Sequence, residues 1–156
     1  MNNIKTRELL LTKLENSVAE FIKTVSNFDN LKFKVGDWTA KKVLIHITFW
    51  HESFAKNVSD IVKNNELNPL KGKYSKLNQR FFDEMQILTK EEIIKRLKKA
   101  QRIIKKNILN SKIQIISYRI GSRKYSPIEH LQIVIDHLRV HQKELIKRYK
   151  ISIHKK

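Results

Sequence analysis

His137 and His141 stand four residues apart in the stretch 126–149, whose apolar residues recur at helical spacing. In an α-helix that separation puts both imidazoles on one face, about 6 Å apart along the axis, where they can share one metal ion. His130 lies on the same face but two turns earlier, about 10 Å away and too far to join that ion. It reads as a partly buried core histidine, or as a pocket residue. His46 falls on a second amphipathic stretch, between Val43 and Trp50, and also points inward. His46, His137 and His141 thus offer three neutral imidazole donors. Three protein ligands with a fourth position left to water is the pattern of a catalytic zinc-type site rather than a structural one. A metal held there lowers the pKa of its water or polarises a leaving group. No general base is evident from spacing; Glu52 and Asp136 are candidates, although each reads as a helix-surface carboxylate. His51 falls on another side of its helix and reads as a surface histidine. Trp38 and Trp50 read as core-packing residues.

Four long amphipathic segments must position these groups. Residues 6–27 carry Leu10, Leu14, Val18, Phe21 (or Ile22) and Val25 every three or four positions. Asn30, Gly36 and Asp37 then mark a turn. Thr39 is a plausible N-cap for a helix over 39–64, with Val43, Ile47, Trp50, Phe54, Val58 (or Asn57) and Ile61 inward. A polar connection holding Pro69 and Gly72 leads to a short helix over 75–86 with Leu77, Phe81, Phe82 and Met85. Thr89 and Glu92 form a capping-box match that opens a helix to about Leu109, with Ile93, Leu97, Ala100, Ile104 and Ile108 inward. Residues 111–122 hold Ile113, Ile115, Ile116 and Ile120 with imperfect alternation and read as an extended crossover ending at Gly121. Ser126, Pro127 and Glu129 then give a cap, a first-turn proline and a second capping box. Ile128, Leu131, Val134, Ile135, Leu138 and Leu145 supply the stripe that follows. The expectation is an all-α four-helix bundle with crossover connections. Residues 1–150 form one domain and 151–156 a frayed tail.

The 156 residues include three Gly, two Pro and no Cys, which suits long helices. The lack of Cys excludes a disulfide framework, a thiolate zinc site and a cysteine nucleophile. Neither a signal-peptide core nor an apolar run near the roughly 20 residues of a membrane span is present, so a soluble, cytoplasmic protein with no membrane partner is expected. Lys and Arg total 33 against 15 acidic residues, a net charge of +18. Such an excess raises nucleic acid as a partner. Lys far outnumbers Arg and no recognised DNA-binding motif accompanies the charge, so solvated lysine faces are the simpler reading. The segment 90–112, with Lys95, Arg96, Lys98, Lys99, Arg102, Lys105 and Lys106, is the most basic.

Trp38, Thr39, Val43, His46 and Trp50 resemble the Trp-[Ser/Thr]-x-x-x-Val-x-x-His-x-x-x-Trp signature of the DinB/YfiT-like superfamily. The run Asp136 to Gln142 is similar to that superfamily's C-terminal His-x-x-x-His segment. Residues 77–82 resemble its Asn-containing stretch, and 88–93 the helix start that follows. The resemblance covers nearly the whole chain. It implies a four-helix bundle with His46, His137 and His141 as a triad holding Zn, Ni or Mn, and a homodimer. It also implies an enzyme that acts on a small electrophilic molecule, by transfer of a low-molecular-weight thiol or by hydrolysis, in stress or detoxification. The strongly basic charge departs from the superfamily's usual balance, and toxin-resistance proteins of the same fold lack the full triad. Two other classes therefore stand beside the enzyme: a non-catalytic bundle that sequesters a small molecule, and a stress protein that binds nucleic acid along 90–112.

Overall fold

The computed structural model describes residues 4–154. Five helices follow one another: α1 (Ile4–Ser26), α2 (Ala40–Asn64), α3 (Tyr74–Met85), α4 (Lys90–Asn107) and α5 (Pro127–His154). A two-stranded hairpin, β1 (Lys34–Val35) and β2 (Trp38–Thr39), sits between α1 and α2 and pairs Lys34 with Thr39 and Val35 with Trp38. Its turn uses Gly36 at φ +64°, a conformation glycine adopts without the steric cost other residues meet. The hairpin delivers Thr39 as the N-cap of α2, whose hydroxyl accepts from the Lys42 N–H at 3.2 Å. Both expected capping boxes are formed. Thr89 and Glu92 exchange bonds of 3.0 and 3.1 Å, and Ser126 and Glu129 exchange two of 3.1 Å.

The four long helices make the bundle, and α3 lies against α2. α2 packs chiefly on α4 and α1 chiefly on α5, so the molecule consists of two helix pairs. The expected stripes meet in one core that includes Leu14, Phe21, Val43, Phe54, Val58, Leu97, Ile104, Leu131 and Ile135. Each aliphatic side chain fully buried in this way contributes roughly 1.5–3 kcal/mol relative to exposure.

Residues 108–126 cross from one pair to the other. Ile113 and Ile116 are buried, whereas Ile115 and Ile120 are exposed. The described part of the crossover forms isolated bridges rather than a ladder: Ile116 with Tyr125, and Leu70 with Arg119. Arg7 pins this segment to α1. Its buried guanidinium donates to the carbonyls of Ile108, Asn110 and Ile113 at 3.1–3.2 Å.

α5 continues to His154, into the stretch 151–156 where a frayed tail is expected; Lys155 and Lys156 lie outside the described residues. Tyr149 anchors the last turns. Its ring packs on Phe28 (4.4 Å between centroids) and Phe33 (5.5 Å), its hydroxyl bonds Asp29 at 3.2 Å, and its carbonyl accepts from Ser152 at 2.7 Å.

Candidate metal centre and its cavity

α2 and α5 approach each other at few points, and the gap between them is where the three histidines meet. His46 comes from the first half of α2 and His137 and His141 from the middle of α5. The Nε2 of His137 lies 3.1 Å from that of His46 and 2.9 Å from that of His141. One ligand atom from each of the three lies within 4.8 Å of the others. Nitrogens bound about 2.0–2.1 Å from a tetrahedral ion sit about 3.3 Å from one another, so the cluster has the scale of a three-ligand site.

Proton bookkeeping around His46 sets its tautomer. The Trp50 indole N–H, which can only donate, bonds Asn78 Oδ1 at 3.0 Å. That fixes which end of the Asn78 amide faces α2. The same oxygen lies 3.0 Å from His46 Nδ1 and cannot donate, so Nδ1 must carry the proton. His46 Nε2 is then a bare lone pair aimed at His137. A histidine ligand oriented through its other ring nitrogen is the usual support of a metal site. Trp38 packs on the same ring, 5.0 Å between centroids, and meets Phe82 edge-on at 5.0 Å.

Burial keeps the imidazoles neutral and competent as ligands. Desolvation brings His46 to about 4, with His141 lowering it further, and the Asn78 bond opposing the shift. His137 is brought to about 3, mainly by burial and then by its two histidine neighbours. His141 is lowered by burial, and its Nδ1 is buried without a hydrogen-bond partner. With the rings neutral, the three nitrogens converge with at most one proton among them, which suits a single divalent cation.

His46 and His137 line a cavity of ≈ 360 Å³, the scale of a small-ligand pocket. Trp50, Tyr74, Tyr118 and Tyr125 give it aromatic walls, and Ile133, Val134 and Leu138 give it an apolar one. Burial, and then Tyr125 and Tyr74, push the Tyr118 phenol above its ordinary range, so its hydroxyl keeps its proton.

Several sequence expectations change here. His51, expected on the surface, is buried: it lines the cavity and bonds Gln101 at 2.7 Å, with burial lowering it to about 4. Trp50 packs against its neighbours but also forms part of the cavity wall. His130 is a core residue, held between Phe54 (4.3 Å) and Tyr118 (4.6 Å), with neither ring nitrogen bonded. Neither candidate base is among the residues lining the cavity: Glu52 makes a two-pronged pair with Arg96 at 2.7 and 2.9 Å, and exposed Asp136 accepts from Gln132 at 3.0 Å. Asn78 carries a sequence signal only within the Asn-containing stretch 77–82, and Tyr118 and Tyr125 carry no periodic or motif signal.

These features define an all-α four-helix bundle with a histidine triad spaced so that it could hold a metal ion. Among solved structures the chain is similar to the mycothiol-dependent maleylpyruvate isomerase, at 13% identity and a TM-score of 0.71, over 93% of this chain. This chain spans 63% of the isomerase's length. A histidine-to-alanine mutant of that enzyme matches with a TM-score of 0.69. An uncharacterised protein from Escherichia coli UTI89 matches at 14% identity and a TM-score of 0.67, over 96% of this chain and 94% of that one. At such identities the likeness establishes the fold. No family model matches the sequence, and no curated protein is significantly similar to it.

Proposed function

We propose that this protein is a metal-dependent enzyme that joins a low-molecular-weight thiol, or water, to a small electrophilic molecule. The observation that carries the reading is the convergence of three neutral imidazoles at the end of an aromatic cavity, one of them with its tautomer fixed by Asn78 and Trp50. His46, His137 and His141 would hold a divalent ion such as Zn, Ni or Mn. A bound ion there lowers the pKa of a thiol or water and so supplies a nucleophile at neutral pH. The chain's own residues do the rest. Asn78 orients His46, the aromatic walls limit water, and the Tyr118 hydroxyl is a neutral donor for a polar substituent. The thiol-dependent activity named for a protein of the same fold supports thiol transfer over hydrolysis.

A cytoplasmic homodimer belongs to the same reading. Among the described residues no helix is long and apolar enough to cross a membrane, and Ile133 and Val140, seven apart on α5, are exposed apolar groups that a second copy would cover.

The test is elemental analysis of untagged protein. About one divalent ion per chain is expected, lost in His46→Ala and His137→Ala while the helical circular dichroism persists. Full metal content in both variants would overturn the proposal. Metal-loaded protein that binds thiol and electrophile without turnover would favour the sequestering bundle instead.

A further inference from the structure

We infer that the cavity selects molecules carrying a carboxylate on an aromatic or apolar body, and that Arg119 is the residue that reads the carboxylate. The inference rests on the proposed function for why a small molecule enters the cavity; the role of Arg119 comes from separate observations.

Arg119 follows Tyr118 in the crossover, and its guanidinium lies over the ring of Tyr74, Cζ 4.6 Å from the centroid. Tyr74 and Tyr118 are both cavity walls, so the cation lies against one wall residue and is the chain neighbour of another. Three arginines in the described residues are not exposed. Arg7 donates to three carbonyls and Arg96 makes a two-pronged pair with Glu52. Arg119 has no acceptor for its guanidinium, and its Nε is buried without a partner. A buried donor left unbonded is unfavourable, more so on a charged group, so an arrangement that keeps one favours a ligand that completes it. Arg123, which lies over Tyr125, is already paired with Glu129 at 2.9 Å.

The backbone holds Arg119 in place. The Ile120 N–H donates to the Leu70 carbonyl at 2.7 Å, and the Ser122 hydroxyl donates to the Arg119 carbonyl at 2.8 Å. A guanidinium over an aromatic ring is more weakly hydrated than an ammonium and presents a planar fork matched to the two oxygens of a carboxylate. The aromatic walls beside it suit a flat or apolar body.

The carboxylate could belong to the electrophile or to the thiol, and two probe pairs separate these sources. Calorimetry on the full chain compares benzoate with benzamide, and 3-mercaptopropionate with 2-mercaptoethanol. In the wild type at least one pair should favour the acid by about tenfold or more. That preference should fall to near one in Arg119→Ala and Arg119→Gln, recover only partly in Arg119→Lys, and persist in Arg102→Ala, which removes the same charge from exposed α4. A preference in the first pair assigns the carboxylate to the electrophile, and one in the second pair assigns it to the thiol. No preference in either pair, or one that survives Arg119→Ala or falls equally in Arg102→Ala, overturns the inference. Metal content, which reports on the triad alone, should be unchanged in every Arg119 variant.

Discussion

Replacing His130 with phenylalanine should make the protein markedly less sensitive to acid. His130 is fully buried between Phe54 and Tyr118, with Tyr125 6.3 Å away, and both ring nitrogens lack partners. Burial brings it from 6.5 to about 3, with a smaller contribution from nearby His51. The sign follows from proton uptake. In the unfolded chain this imidazole binds a proton below 6.5, whereas in the native state it stays neutral until about 3. The unfolded state therefore binds more protons across that window, and stability falls as the pH falls through it. Each pH unit below 6.5 costs about 1.4 kcal/mol, so at pH 4.5 the penalty from His130 is ~3 kcal/mol. His51, lowered to about 4, adds a similar amount. Phenylalanine keeps the ring stacking and removes the titration. Urea unfolding of chelator-treated wild type and His130→Phe at pH 8 and pH 4.5 supplies the test. Any steric strain from the new ring enters at both pH values and cancels in the difference. The variant should gain ~3 kcal/mol on the wild type between the two conditions. A difference independent of pH would refute the reasoning.

Asn78→Ala should weaken metal binding by about 10–100-fold while leaving the helices intact, as competition with a chromogenic chelator would show, because His46 loses the acceptor that fixes its tautomer. Arg7→Met should cost ~3 kcal/mol in urea unfolding, since it leaves the carbonyls of Ile108, Asn110 and Ile113 without their donor. A loss under 1 kcal/mol would mean that Arg7 does not tie the crossover to α1.

What could be read directly was local. Thr39, Thr89 with Glu92, and Ser126 with Glu129 announce three helix starts because a cap acts over three residues of chain. His137 and His141 announce a shared face for the same reason. His51 departs from expectation because α2 buries more than a single inward stripe. That helix packs on α4 along one side and lines the cavity along another, so Leu44, Ile45, Thr48, His51 and Ala55 are buried together with the expected Val43, Ile47 and Phe54. Asn78 and Arg119 lay beyond sequence reasoning for a different cause. Each matters through a partner on another element, Trp50 and His46 for one and Tyr74 for the other, and no spacing along the chain encodes that meeting.

The division into helix pairs bears on how the triad works. His46 belongs to the α2–α4 pair, whereas His137 and His141 belong to α1–α5, and the two pairs touch little across the cavity. Nitrogen separations of 2.9 and 3.1 Å therefore depend on how one pair sits against the other, which no single helix sets. Three features outside the triad hold that placement. Arg7 joins α1 to the end of α4, Ile113 and Ile116 bury the crossover in the core, and Tyr149 fastens α5 to the segment before the hairpin. The hairpin then sets the start of α2, and with it the height of His46 against α5. A ligand set divided between two bodies is sensitive to small shifts, because a displacement of 1 Å is a large fraction of a metal–nitrogen bond of about 2 Å. Packing far from the histidines thus helps to set the spacing of the triad.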